Sequence, residues 1–223
     1  MADTPKRRGR YAVGVARRAQ IIETAARHFA RYGYGRSSIG RVAREVGISE
    51  AGLLHHFASK EELLLAVLEQ IEAADRAALA AADLPTTGLA CLDLLPWVVD
   101  HNVDRPGVVR LFVLLSAEAT GEDHPARAWF AARYQRLVAE TAAGLRAGIA
   151  SGEIRADVDC AGLARELAAV SDGLQTQWLL AGCAFDLAAS YRGYVARVRD
   201  QIATPTSGMV AANGSAAAVA TVG

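Results

Sequence analysis

Four groups of residues in the first 60 positions have the chemistry to hold a polyanion. Ser37 and Ser38 stand side by side at a predicted helix start, where their hydroxyls and the free backbone amides can bind a phosphate. Ser49, Glu50, Ala51, Gly52 and His55 follow within two turns. There Glu50 can accept from cytosine N4 and His55 can meet a base edge or a phosphate, while Ala51 and Gly52 are small enough to let a helix lie close against a surface. Lys60 opens a later helix from which it can reach the same strand. Lys6, Arg7, Arg8 and Arg10 form a basic arm that suits a minor groove, and that reads equally as a solubilising tail.

Charge is divided along the chain in the same sense. The 223 residues carry 24 basic and 24 acidic groups, yet residues 1–60 hold twelve basic side chains against Asp3, Glu23, Glu45 and Glu50, a net of +8. The remainder is therefore −8. A polyanion-binding end on an acidic body has this asymmetry, and so does a charged surface clustered by chance. An apolar fraction of 52% excludes wholesale disorder. No run of about 18 apolar residues occurs. Cys91, Cys160 and Cys183 are too few and too scattered for a disulfide framework or a metal knuckle, and no secretory signal is evident. A cytoplasmic protein without membrane association is expected.

The elements that must position these groups are helical throughout. Apolar periodicity predicts an all-α chain of about nine helices, near 16–32, 38–46, 50–56, 60–80, 86–103, 107–119, 125–151, 160–181 and 185–203. Ser59 before Lys60, with Glu62 following, reads as a capping box, and Asp159 caps the helix that starts at Cys160. Pro96, inside an apolar periodic run, predicts a kink. Helix 38–46 buries Ile39, Val42, Ala43 and Val46, Ser37 or Ser38 caps it, and Gly47 ends it in a left-handed turn. Ile48 anchors that turn and Ser49 caps the next short helix. His56, beside Phe57, is expected to pack inward or cap locally. Two helices joined by a short Gly-containing turn, the second with a small, polar outer face, form a helix-turn-helix pattern whose second helix enters a major groove.

The run ARRAQIIETAARHFARYGYGRSSIGRVAREVGISEAGLLHHFASKEELLLAVLE resembles the N-terminal domain of TetR-type (TetR/AcrR-like) transcriptional regulators. Phe29, Gly33-Tyr34, Ser37-Ser38-Ile39, Val42-Ala43, Gly47-Ile48-Ser49, Leu53, His56-Phe57 and Ser59-Lys60-Glu61 carry the likeness over about 50 ungapped residues. Leu54 departs from it: the family usually has Tyr there, a residue that tends to contact a phosphate, and His55 is the nearest substitute. The resemblance implies a DNA-binding domain at 15–76 and a ligand-binding and dimerisation domain at 77–203, while charge marks a basic flexible arm at 1–14 and a small, uncharged, Gly/Ser/Ala-rich composition predicts a disordered tail at 204–223.

In the body, Trp97, Phe112, Trp129, Tyr134 and Trp178 lie on predicted helices beside His101, Ser116, Arg133 and Gln175. Most such aromatics are core, but together they can enclose an apolar cavity, and the resemblance implies an effector pocket among helices 5 to 8. Helix 9, with Leu187, Tyr191, Tyr194, Val198 and Ile202, and helix 8, with Ala161, Ala164, Ala168 and Ser171, carry faces that either close the monomer or pair with a second subunit. The resemblance favours pairing as a homodimer.

No HExxH, GxSxG or Walker loop is present, and Glu118 with His124 is too small a set for a metal site. The expectation is a regulator and not an enzyme, without cofactor: a repressor that binds a pseudo-palindromic operator as a dimer and leaves it on binding an apolar small molecule. An activator, or a helical ligand-binding or scaffolding protein that has lost DNA readout, is the alternative. Leu54 is the one local feature that favours lost readout.

Overall fold

A computed structural model describes residues 5–205, with side chains from Val13. Nine α-helices run through these residues: α1 (Pro5–Arg36), α2 (Ile39–Val46), α3 (Glu50–Leu54), α4 (Lys60–Ala81), α5 (Leu94–Val103), α6 (Pro106–Glu118), α7 (Arg127–Ala150), α8 (Cys160–Leu180) and α9 (Leu187–Ile202). No strand occurs among them, only an isolated bridge of Ile154 with Ala203 that ties the α7–α8 loop to the end of α9.

Helix ends follow local chemistry. Ser38, Ser49 and Ser59 each accept from a backbone N–H three residues on, at 3.3, 3.0 and 3.1 Å. Glu62 answers Ser59 by accepting from Ala58 N at 2.7 Å, one residue earlier than a standard capping box. Asp159 accepts from Ala161 N and Gly162 N, at 3.1 and 3.0 Å. Gly47 ends α2 with φ 78°, in the left-handed region where a side chain is costly.

Two predicted elements change. Helix α1 runs from Pro5, so the backbone expected as a flexible arm at 1–14 is helical from Pro5 onward. The helix expected over 86–103 is a 3₁₀ turn, Leu89–Asp93, followed by α5. Pro96 therefore sits in the first turn of α5, where a missing N–H leaves no hydrogen bond unmade, and the break precedes it. The tail beyond Pro205 lies outside the described residues.

Two apolar cores result, and the first crosses the boundary expected at residue 76 while the second lies wholly beyond it. The first packs Ile21, Phe29, Val42, Leu53, Phe57, Leu64 and Val67 against Leu111, Leu115, Ala126 and Phe130, so that α6 and the start of α7 seat on α1. The second joins α5, α7, α8 and α9 through Leu92, Val99, Leu145, Leu167, Trp178 and Tyr191. At about 1.5–3 kcal/mol per large apolar side chain buried, α6 is held to the helix-turn-helix by the same force that folds it.

Candidate nucleic-acid interface and cavity

Ser38, Ser49, Glu50, Ala51, Leu54 and His55 are exposed, and Gly52 is half-buried. Ser38 stands at the start of α2, and the others lie on or beside α3, the next helix along the turn. Leu53, wholly buried, points the other way and fixes the roll of α3 on the first core. The turn between α2 and α3 is pinned from behind. Arg17 donates to Val46 O at 3.4 Å, and the Arg18 guanidinium lies 4.7 Å from the centre of the Phe57 ring. His56 is half-buried and stacks edge-on with His55, ring centres 5.8 Å apart. Arg41 and Arg44, exposed on α2, make no ion pair among the described residues. Sequence reasoning counted them only as charge, although their i, i+3 spacing already puts them on one face.

Two residues expected at the surface turn inward. Ser37 is 4% exposed, and its hydroxyl donates to Gly33 O at 2.7 Å. Only one of two adjacent serines can cap α2, and the other must face the core. Lys60 donates from Nζ to Tyr34 O at 3.0 Å and Ser37 O at 3.1 Å, with Nζ 4.1 Å from the centre of the Tyr34 ring. It clamps the start of α4 to the α1–α2 joint. For Arg7, Arg8 and Arg10 the side chains lie outside the described residues.

That joint also receives the body. Gly33 breaks α1 at φ 75°, ψ 173°, and frees the amide of Tyr34, which donates to Glu118 Oε2 at 2.8 Å from the last residue of α6. A Cβ on Gly33 would collide with Glu118 Oε1. His124 stacks edge-on against Tyr34, ring centres 5.2 Å apart, with Nε2 3.8 Å from Glu118 Oε2. Glu118 and His124 thus meet at a structural joint, a role that sequence reasoning missed. The Gly33 break was its only trace.

In the body, an outer cavity of about 730 Å³ opens between α4, the 3₁₀ turn, α5 and α7. An inner one of about 150 Å³ lies between α5, α6, α7 and α8, and the two share Asp75, Leu95, Val98, Asn102, Arg133 and Leu137. Trp97 and His101 line the outer cavity with their rings stacked 8° from parallel. Phe112, Ser116, Tyr134 and Gln175 line the inner one, and Arg133 lines both. Trp129 and Trp178 line neither. Trp129 packs on Phe112 and Phe130 in the first core, and Trp178 is buried in the second, because the neighbouring helices decide which way an aromatic at helical spacing points.

Ion pairs organise the cavity walls. Glu72 receives Arg133 at 2.8 Å and Arg136 at 2.6 Å, and Asp75 receives Arg105 at 2.6 Å and His101 at 3.6 Å. Asp172 differs. The one hydrogen-bond partner of its carboxylate among the described residues is the Tyr134 hydroxyl, which donates to Oδ2 at 2.7 Å, and it has no ion pair there. Its side chain faces the open cavity while protein atoms crowd around it. The residue is exposed overall, yet the crowding of its carboxyl by protein atoms raises the pKa above the usual carboxylate range, offset in part by Tyr134 and Arg133.

A short capped helix with an exposed small face, on a turn pinned from behind and joined to a helical body with a cavity, is the arrangement of a one-helix major-groove reader. Residues 21–67 match the model of bacterial regulatory proteins of the tetR family, and residues 91–204 match that of the BetI-type transcriptional repressor C-terminal domain. The chain belongs to the TetR family. Among curated relatives of this TetR-family chain is the HTH-type transcriptional repressor Rv1474c of Mycobacterium tuberculosis, 29% identical over 164 residues, which are 71% of this chain and 80% of that one. Another is the HTH-type transcriptional regulator TtgR of Pseudomonas putida, 27% identical over 80% of this chain and 87% of its own. A solved transcriptional regulator from Saccharomonospora viridis, in complex with choline, superposes with a TM-score of 0.70 at 26% identity, covering 84% of this chain and 98% of its own. This TetR-family protein is a DNA-binding transcriptional regulator, and no helix among its described residues is long and apolar enough to cross a membrane.

Proposed function

We propose that the protein is a ligand-responsive repressor, a cytoplasmic homodimer that sets α3 of each subunit into a half-site of a pseudo-palindromic operator. The observation that carries this reading is the joint of Gly33, Tyr34 and Glu118. Helix α6 offers Phe112 and Ser116 to the inner cavity and ends on Glu118, which holds the break in α1 from which Ser37, Lys60 and the start of α2 hang. A ligand that displaces α6 therefore moves α3. Two half-sites about 34–36 Å apart tolerate little change in the spacing of two such helices. A ligand that prefers the DNA-incompetent state by about 5.5 kcal/mol turns occupancy from nearly full to nearly empty. Relatives that are themselves repressors support the sign of regulation, and the choline complex of the Saccharomonospora viridis protein supports a small organic effector.

Of the α8 and α9 stripes expected to pair, Tyr194, Ala161, Ala168 and Ser171 remain half-buried. Leu187, Tyr191, Val198, Ile202 and Ala164 are buried within the chain's own second core. What faces outward is mixed: Leu180, 83% exposed, with Ala169, Ala189 and Ala196, stands among exposed Arg165, Glu166, Arg192 and Arg197.

The test is selection of bound fragments from the source genome by the full chain at about 150 mM salt, where non-specific binding is weak. A sharply enriched site with two-fold symmetry is the expected result. A folded dimer that enriches nothing, before and after stripping of bound ligand by refolding, overturns the reading.

A further inference from the structure

The paired cavities carry an unbalanced set of charges and one orphaned acceptor. Five carboxylates, Glu72, Asp75, Asp83, Glu140 and Asp172, stand on the two linings against the guanidiniums of Arg76, Arg133 and Arg136, with Arg105 behind Asp75. Each of those guanidiniums already faces a carboxylate: Arg76 faces Glu140, Arg105 faces Asp75, and Arg133 and Arg136 share Glu72. Arg133 and Arg136 outnumber the one carboxylate they share, but the two linings together hold five carboxylates against three guanidiniums, so an anionic ligand meets a net negative site. Asp172, by contrast, faces the inner cavity with a neutral phenol as its hydrogen-bond partner. Asn102, on the wall common to both cavities, has a buried Oδ1 that accepts from nothing. A buried acceptor without a donor is a standing cost that a bound N–H removes. The other walls are apolar: Phe112, Val109 and Val113 inside, with Leu95, Val98 and Leu137 leading to Leu79, Leu84 and Trp97 outside.

We infer that this site takes an amphipathic amine, a primary or secondary alkylammonium, whose N–H donors sit between Asp172 and Asn102 and whose apolar body extends along Leu95, Val98 and Leu137 into the outer cavity. The inference rests on the reading of these cavities as the effector site. About 150 Å³ accommodates a group of benzene size, so the inner cavity holds the ammonium and its first few methylenes, and the remainder lies in the outer one. A fatty carboxylate of the same length would set its charge beside Asp172. A quaternary ammonium carries the right charge and lacks an N–H, so it leaves Asn102 Oδ1 unpartnered.

Calorimetric titration of the full chain with octylamine, octanol, octanoate and octyltrimethylammonium tests this directly. Octylamine is expected to bind roughly 10- to 100-fold more tightly than octanol and octyltrimethylammonium, the usual worth of a charge-assisted hydrogen bond, and octanoate to bind weakest. Asp172→Asn should bring octylamine down to the affinity of octanol and leave octanol unchanged. Its Tm at neutral pH should be equal or higher, because the fold disfavours the ionised carboxyl that the substitution removes. Asn102→Leu should lose the preference for octylamine over octyltrimethylammonium. Octanol or octanoate binding as tightly as octylamine, or an Asp172→Asn protein that keeps the amine preference, overturns the inference. Release of the selected operator fragment is measured separately. An amine that binds through Asp172 without releasing DNA leaves the inference standing and removes the effector role, whereas release by non-amines alone overturns the inference and keeps that role.

Discussion

The surface of α2 and α3 and the cavity walls of α4 to α8 solve opposite problems with the same kinds of residue. In the first, polar groups are consumed locally. Each serine before a helix caps it, Ser37 bonds back to Gly33, and Lys60 fastens two carbonyls. In the second, polar groups are brought together from helices more than 60 residues apart, as in Glu72 with Arg133, and one acceptor, Asn102 Oδ1, is left short of a partner. A rigid reader of a fixed partner needs its own hydrogen bonds satisfied beforehand, and a receptor for a small molecule keeps one or two open.

The largest effect that distinguishes the two regions is expected at Gly52. A Cβ there would press on Ser49 Oγ, the N-cap of α3, at 3.2 Å, a contact that a shift of a few tenths of an ångström relieves, and thermal melts of the variant check that the fold survives it. Gly52→Trp should therefore fold and dimerise normally, keep octylamine binding, and lose operator affinity by at least about 100-fold through steric standoff in the groove, the cost of two or more good base contacts. Fluorescence anisotropy with an operator duplex reads this, and retained affinity in a folded variant would displace α3 from the interface.

Next comes the joint between the regions. Glu118→Ala leaves the Tyr34 amide without its acceptor, about 1–3 kcal/mol at a partly buried donor. Glu118→Gln retains an acceptor oxygen and should restore it. The expected signature is a weakened response of DNA binding to ligand in Glu118→Ala, with ligand affinity itself unchanged and the response recovered in Glu118→Gln. Equal responses in all three proteins would mean that α6 does not drive α3.

What the sequence disclosed follows the same division. Caps, the Gly47 turn and the buried stripe of α2 depend on residues within four positions of one another, so their spacing alone determined them. Ser37 and Lys60 could not be assigned that way. Whether a serine caps or turns inward depends on where the α1 break falls, and whether a lysine meets phosphate or carbonyl depends on Tyr34, 26 residues away. In the body, Trp129 and Trp178 share their helical spacing with true lining residues, and only the crossing of α6, α7 and α8 separates them. Pro96 looked like a kink because periodicity runs unbroken through a 3₁₀ turn that begins the helix later.

Lys60 gives a smaller effect that tells clamp from contact. As a clamp, Lys60→Met should lower stability by about 1–2 kcal/mol, the worth of a partly exposed charged hydrogen-bond pair, and leave the salt dependence of operator binding unaltered. As a phosphate contact it would instead reduce the slope of log K against log salt by about 1, with stability intact. Thermal melts and binding at three salt concentrations separate these outcomes, and the geometry of Nζ favours the first.

The smallest effect lies wholly within the reader, where α1 meets α2. His28 Nε2 lies 2.6 Å from Glu45 Oε2, and Arg27 approaches Oε1 at 3.3 Å. Those hydrogen bonds, that of His28 first, hold the Glu45 carboxyl below its ordinary pKa. A carboxylate lowered by folding contributes stability above the unfolded value of about 4.3 and loses it as pH falls through the lower folded value. Glu45→Gln keeps an acceptor for His28 and removes the charge. The difference in Tm between the two proteins should be small, because Glu45 is exposed and screened, and should vanish as the pH falls below the unfolded value and through the lower folded one. A difference that grew toward low pH would mean that the charge on Glu45 opposes the α1–α2 contact, and that the reader, like the cavity, carries a group held against its preference.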